Sequence, residues 1–178
     1  MIPSTHVEER DVLQILDELV KNTSIATMID PIVSRVEQKL IQQPDAVMAW
    51  EPIPLGLYGK ELPALIRSSW VFILRAQATT GAERHPNSHQ RMVSYRGSGD
   101  FQVWSGERWN TNLLVSDCEA PLENRWISIP PYTWHQAVVP NNDWVVVSFH
   151  TAAQDELIEE RPKADDKEQN HQRRYMAG

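Results

Sequence analysis

Glu83, His85, Gln90 and His135 are the residues of this chain whose types and spacing suit metal chemistry. Along a strand, side chains two apart point to the same face. Glu83 and His85 would therefore face one side together. Gln90 returns on the next strand, past the loop-like Pro86-Asn87-Ser88, and His135 joins from a distant strand just after Pro130-Pro131. Oxygen and imidazole donors converging inside a sheet make a site for a divalent transition metal. His89 leaves an alternative open. A regular strand turns it to the face opposite Gln90, whereas the preceding loop allows it to turn inward. His85, His89 and His135 are then a rival ligand set, His89 is an acid or base beside the metal, or it is a surface histidine. His150, at the end of the last apolar run, reads as a residue near a barrel mouth, as a structural one or as a solvated one.

The elements that must bring these residues together are strands. Between about residues 68 and 151 the chain alternates short apolar runs with Gly, Pro and Asn turns. Strands are predicted over 70–74, 91–96, 100–104, 112–116, 125–129, 135–139 and 144–149. Gly97-Ser98-Gly99 gives a hairpin signal between the second and third. The first 49 residues read as a helical extension. Thr5 and Glu8 match a capping box, and Val12, Leu13, Leu16, Leu19 and Val20 recur at helical spacing. Asp30-Pro31 reads as the start of a second helix carrying Ile32, Val33, Val36 and Leu40. Residues 50–63, with three prolines and two glycines, read as an irregular connection into a β domain over 50–152. Beyond 153 a short helix over 154–160 is expected, followed by a polar, flexible tail.

Composition narrows the function. A chain of 178 residues with 41% hydrophobic content is enough for one domain with a sizeable core. A net charge of −7 argues against a nucleic-acid partner. No apolar run has the length of a membrane span, so no membrane partner is expected. The start lacks the basic-then-apolar order of a signal peptide, and cytoplasmic residence is the expectation. The single cysteine, Cys118, allows neither an internal disulfide nor a thiolate metal cage, and reads as a small half-buried residue. Most of the seven tryptophans should be core or interface residues, with room for one or two to line a pocket, and Trp134 is expected to face away from His135's side.

The strand zone resembles the cupin superfamily of small jelly-roll barrels. That family's first motif runs Gly, five residues, His-x-His, three or four residues, Glu, six residues, Gly. Here Glu83-x-His85, Gln90 and Gly97 have that spacing. Glu83 takes the place of the first histidine, Gln90 that of the glutamate, and Gln77 that of the opening glycine. In the second motif (Pro, one residue, Gly, two residues, His), Pro130, Tyr132 and His135 occupy the named places, with Tyr132 for the glycine. The resemblance implies a mostly β double-stranded β-helix, or jelly roll, with an N-terminal helical extension. It implies one bound divalent metal, Fe(II) in first place, with Mn, Ni, Co or Zn as alternatives. The ligands would be Glu83, His85, Gln90 and His135, since the one formal negative charge of the family's ligand set is kept at a different position. The activity implied is a dioxygenase or related oxidoreductase acting on a small organic molecule. A metal-dependent isomerase, epimerase or lyase, or a non-catalytic ligand-binding module, are the alternatives. His89 and Tyr95 are candidate catalytic residues, and Arg75, Arg91, Gln102 and Tyr132 candidate substrate contacts. A homodimer is expected, as small cupins often pair.

Overall fold

Two helices open the chain because their apolar residues recur on one stripe: α1 (Thr5–Lys21) and α2 (Thr23–Gln42). The computed structural model describes residues 5–163 and 166–174, with side chains over 9–162. The capping pair expected at Thr5 and Glu8 lies outside the described side chains. The second helix starts earlier than Asp30-Pro31 suggested. Asn22 Oδ1 accepts from the backbone N–H groups of Ser24 and Ile25 at 3.0 and 3.3 Å, which caps α2 at its true start. Pro31 sits inside the helix. Burial of Ile25 and Ile29, on the same stripe as Ile32, Val33 and Val36, outweighs the backbone hydrogen bond that a proline removes.

The strands, in chain order, are β1 (Met48–Pro52), β2 (Ser68–Leu74), β3 (Gln90–Arg96), β4 (Ser98–Trp104), β5 (Trp109–Asn110), β6 (Leu113–Val115), β7 (Trp126–Ile129), β8 (His135–Val138), β9 (Trp144–His150), β10 (Ile158–Lys163) and β11 (Asp166–Arg174). One sheet has the order β1-β2-β9-β3-β7; β4 pairs with β5, β6 and β8 in the other, and every pairing is antiparallel. The result is a mostly β, two-sheet jelly roll with an N-terminal helical extension.

The five-stranded sheet is covered on both faces, which is why β2 and β9 read as unbroken apolar runs. Alternate residues go to different cores. Val71, Ile73, Val93, Val145, Val147 and Phe149 pack outward with Leu16, Ile29, Val33 and Val36 of the helices. Trp70, Phe72, Leu74, Met92, Trp144 and Val146 pack inward with Phe101, Leu114 and Ala137 of the smaller sheet. Each fully buried aliphatic side chain contributes about 1.5–3 kcal/mol, so the helices belong to the fold's core. Gly97 turns the β3–β4 hairpin at φ +83°. Gly99 lies so close to the Trp144 ring that a Cβ there would fall 2.1 Å from it.

The C-terminal expectation is corrected. Residues 154–160 are not helical, and β10 and β11 form an antiparallel hairpin. The described charges of β10 are held by partners: Arg161 pairs with Glu159 at 2.7 Å and Glu160 with Arg84. Arg84 and Glu160 exchange both backbone hydrogen bonds, at 3.0 and 2.9 Å, and their side chains form an ion pair. Leu157 is buried in the inner core just before the hairpin. Cys118 is exposed rather than half-buried. Among the described residues, no helix is long and apolar enough to cross a membrane.

Candidate metal centre

Glu83 and His135 are direct cross-strand neighbours. The Glu83 N–H donates to the His135 carbonyl and the His135 N–H to the Glu83 carbonyl, each at 2.9 Å. Such a doubly bonded pair sends both side chains to one face. His85, two residues on, follows, and one ligand atom from each of Glu83, His85 and His135 lies within 4.8 Å of the others. The His135 ring packs on Phe101 at 5.4 Å between centroids, and the His85 ring lies 5.5 Å from that of His135.

Backbone carbonyls orient both imidazoles. His85 Nδ1 bonds to the Ile158 carbonyl at 2.9 Å and His135 Nδ1 to the Thr133 carbonyl at 3.0 Å. A carbonyl only accepts, so Nδ1 carries a proton in both rings, and the neutral form of each then keeps its lone pair on Nε2. His135 Nε2 is buried without a hydrogen-bond partner and lies 3.5 Å from Glu83 Oε1. Two donors on one ion at about 2.1 Å stand roughly 3.0–3.5 Å apart, so this spacing suits shared coordination. Gln90 Oε1 is likewise buried without a partner, and Gln90 lines the same cavity as Glu83 and His135. Unanswered buried acceptors are costly unless something binds them.

Electrostatics prepare the same set. Burial would raise the Glu83 carboxyl, but its contact with His135 and the charges of His135, His85 and Arg161 outweigh it and hold it at about 2. Burial pushes the His85 imidazole down to about 4, with Glu83 opposing and His135 reinforcing. Glu83 is therefore ionised and His85 neutral at physiological pH, the protonation states that ligands need. The donor set of imidazoles, carboxylate and amide oxygen fits a divalent transition metal.

The other expected site residues lie elsewhere, and strand parity is the reason. His89 and Arg91 flank Gln90 on β3 and its approach, and so face the helices. His89 Nε2 bonds to Ser128 Oγ at 2.7 Å, and Arg91 forms an ion pair with Glu9 of α1 at 2.6 Å. Tyr95 donates to Asp30 of α2 at 2.8 Å. Arg75 closes the end of α2, donating to the carbonyls of Leu40, Gln43 and Ala46 at 2.7–2.9 Å. Gln102 bonds to Asp100 and Gln136 at 2.7 and 2.8 Å, on the face of β4 opposite Phe101 and Val103. Tyr132 is exposed, with the Arg84 guanidinium 5.6 Å from its ring. Trp134 faces away from His135 and carries Arg84 at 4.6 Å. His150 is fully buried, its ring 5.3 Å from that of His85.

Two contributions escaped sequence reading. Arg161 of β10 donates to Glu83 Oε2 at 2.7 Å, and Ile158 of the same strand supplies the carbonyl for His85. Charge and polarity hid this strand: Glu159 and Glu160 are both buried, and neither residue type signals a buried strand in the sequence.

Gln77 and Tyr132 carry the most independent support for the motif placement. They are the two non-glycine residues at positive φ among the described residues, at +63° and +64°. Both stand where the two motifs place glycine. The left-handed backbone is thus kept although the residue best suited to it is absent. Strand order and motif placement give this chain a cupin-type jelly roll.

No family model matches the chain, and no curated protein matches it in sequence. Solved structures similar in shape include an oxalate oxidase in complex with the substrate analogue glycolate, at 12% identity and TM-score 0.47, over 61% of this chain and 52% of that one. The capsular polysaccharide assembling protein CapF from Staphylococcus aureus is similar at 14% identity and TM-score 0.48, over 62% and 30%. KdgF from Halomonas sp. is similar at 12% identity and TM-score 0.45, over 62% and 86%. The chain spans about half the length of the oxalate oxidase and less than a third of CapF.

Proposed function

We propose that this protein is a metal-dependent oxidoreductase, a dioxygenase or close relative, acting on a small and largely apolar organic molecule. The observation that carries this reading is the buried trio of two imidazoles and one carboxylate beside an apolar cavity. A two-histidine, one-carboxylate set holding Fe(II) leaves coordination positions for substrate and dioxygen. Glu83, His85 and His135 would be the constant ligands. Gln90, neutral and weakly donating, would bind or swing aside. Phe72, Leu74, Met92, Phe101 and Val146 line the space beside these ligands and would keep water from the reacting atoms.

The cavity also favours oxidation over the isomerase or lyase alternative. Those reactions need a proton carrier beside the substrate. His89 and Tyr95, the expected carriers, bond to Ser128 and Asp30 beneath the helices. The cavity's described lining holds no titratable side chain besides Glu83 and His135. Arg75 and Arg91 are likewise committed to helix carbonyls and to Glu9, so the substrate would be held by the ion and the apolar walls rather than by an arginine.

The test is metal analysis of protein purified without oxygen, then oxygen uptake by the iron-loaded form with uncharged two-oxygen chelators. Iron with substrate-dependent uptake is expected. Zinc or nickel with no oxygen consumption would favour the isomerase or lyase class. Metal-free protein holding a small ligand would favour a binding module.

A further inference from the structure

We propose that Arg161 is a positioning residue that restricts Glu83 to a single metal-binding oxygen. This rests on the metal reading above. Carboxylates bind ions through one oxygen or two, and the choice decides how many positions stay open for substrate. Here the choice is made before any ion arrives. Arg161 Nη2 donates to Glu83 Oε2 at 2.7 Å, and Glu83 Oε1 is left 3.5 Å from His135 Nε2. A guanidinium is a rigid fork, and this one is held at every nitrogen. Nε donates to Glu159 Oε1 at 2.7 Å and Nη1 to the Thr80 carbonyl at 3.2 Å.

The backbone fixes the strand that carries it. Arg84 and Glu160 exchange two backbone hydrogen bonds, which places Glu83 and Arg161 beside one ladder rung. The same strand orients His85 through the Ile158 carbonyl. β10 thus sets the direction of two of the three clustered ligands. The arrangement has a cost with a definite sign. A guanidinium on the ligand carboxylate weakens its pull on a cation, so this site binds its ion less tightly than the same ligands alone would.

That sign separates positioning from simple support. In Arg161→Gln combined with Glu159→Gln, which also removes the buried carboxylate that Arg161 neutralises, Glu83 regains its second oxygen. Mn(II) should then bind about tenfold tighter by titration calorimetry. Water-proton relaxation should show one exchangeable water fewer on the bound ion. Arg161→Lys keeps the charge and one donor and serves if the double variant does not fold: affinity within about threefold of wild type and an unchanged water count are expected. Unchanged or weaker binding in the folded double variant overturns the proposal, as does tenfold tightening in Arg161→Lys. Wild-type protein that takes up no Mn(II), Fe(II) or Co(II) refutes the metal reading itself, and this proposal with it.

Discussion

Two polar clusters meet at the start of β3, one residue apart in sequence and on opposite faces of the sheet. Toward the helices, His89 and Arg91 join Glu9 and Ser128. Arg91 Nε and Nη2 donate to the two Glu9 oxygens at 2.8 and 2.6 Å, and Ser128 Oγ donates to Glu9 Oε1 at 2.6 Å. The Ser128 hydrogen is then spent on Glu9, so the proton between His89 Nε2 and Ser128 comes from the imidazole. Apart from Arg91 Nη1, each of these donors and acceptors is engaged. Toward the cavity, Gln90 Oε1 and His135 Nε2 are buried and unanswered. The lesson is chemical. Both clusters contain histidine and glutamate, but one is closed on itself and locks a helix, while the other presents lone pairs to a space that a ligand can enter.

The contrast breaks most visibly at His135. His135→Ala should abolish specific divalent-metal uptake, measured by equilibrium dialysis, while His89→Ala keeps wild-type stoichiometry. Equal metal content in the His135 variant and the wild type would refute the inner cluster as a metal centre. The helix side should respond in stability instead. Asp17 of α1 accepts from Arg125, from Trp126 Nε1 at 2.8 Å and pairs with Lys21 at 3.1 Å. Asp17→Asn should cost about 3 kcal/mol in urea unfolding, because it leaves the Arg125 charge buried without its counter-ion.

Acid should reproduce part of that loss. Burial would raise the Asp17 carboxyl, but hydrogen bonds from Arg125, Trp126 and Lys21 outweigh it and hold it below its ordinary 3.8. A lowered carboxyl contributes stability that is fully present above 3.8 and disappears as pH falls through the folded value. Wild type should therefore lose stability on acidification below about pH 4 more steeply than Asp17→Asn. Parallel acid profiles would remove Asp17 from the account.

Neighbouring substitutions sharpen the comparison further. Gln90→Ala should weaken metal binding by about tenfold with little change in unfolding. His89→Ala should do the reverse, costing about 1–2 kcal/mol through the lost Ser128 contact. Identical phenotypes would mean that the two faces are not functionally distinct. The smallest effect belongs to backbone strain. Gln77→Gly relieves a left-handed residue at about 1–2 kcal/mol but adds unfolded-state freedom, for a net stabilisation of at most about 1 kcal/mol. Gln77→Val should destabilise, since a β-branched side chain fits that backbone worst. Tyr132→Gly should gain less than Gln77→Gly, because it loses the contact with Arg84.

Much of this was legible in the order of residues. Alternating and continuous apolar runs marked β2, β3, β4 and β6 to β9 nearly to the residue, since a strand's side chains report its two faces. The motif spacing singled out Glu83, His85, Gln90 and His135 without any coordinates. Period-two parity placed His89 opposite Gln90, and only the loop before it left the alternative open. β1, β5, β10 and β11 were not legible. They are short or polar, and their identity as strands comes from partners distant in the chain, as Glu160 does from Arg84. The start of α2 was misread because Pro31 is a stronger local signal than Asn22, although the stripe through Ile25 and Ile29 already pointed past it.

The side of the sheet that each residue serves divides what the sequence determined from what it could not. Periodicity established which residues share a face, and the motif intervals established which donors travel together, because both are properties of local backbone geometry. Which face became the cavity and which went under the helices was decided by tertiary packing. Arg75 and Arg91, candidate substrate contacts, and Tyr95, a candidate catalytic residue, are engaged instead by carbonyls and carboxylates of α1, α2 and the loop after α2. Arg161 acquired its role only when a polar hairpin folded back against Glu83. A charge takes its function from whatever group lies within about 3 Å of it, and that neighbour can be far away along the chain.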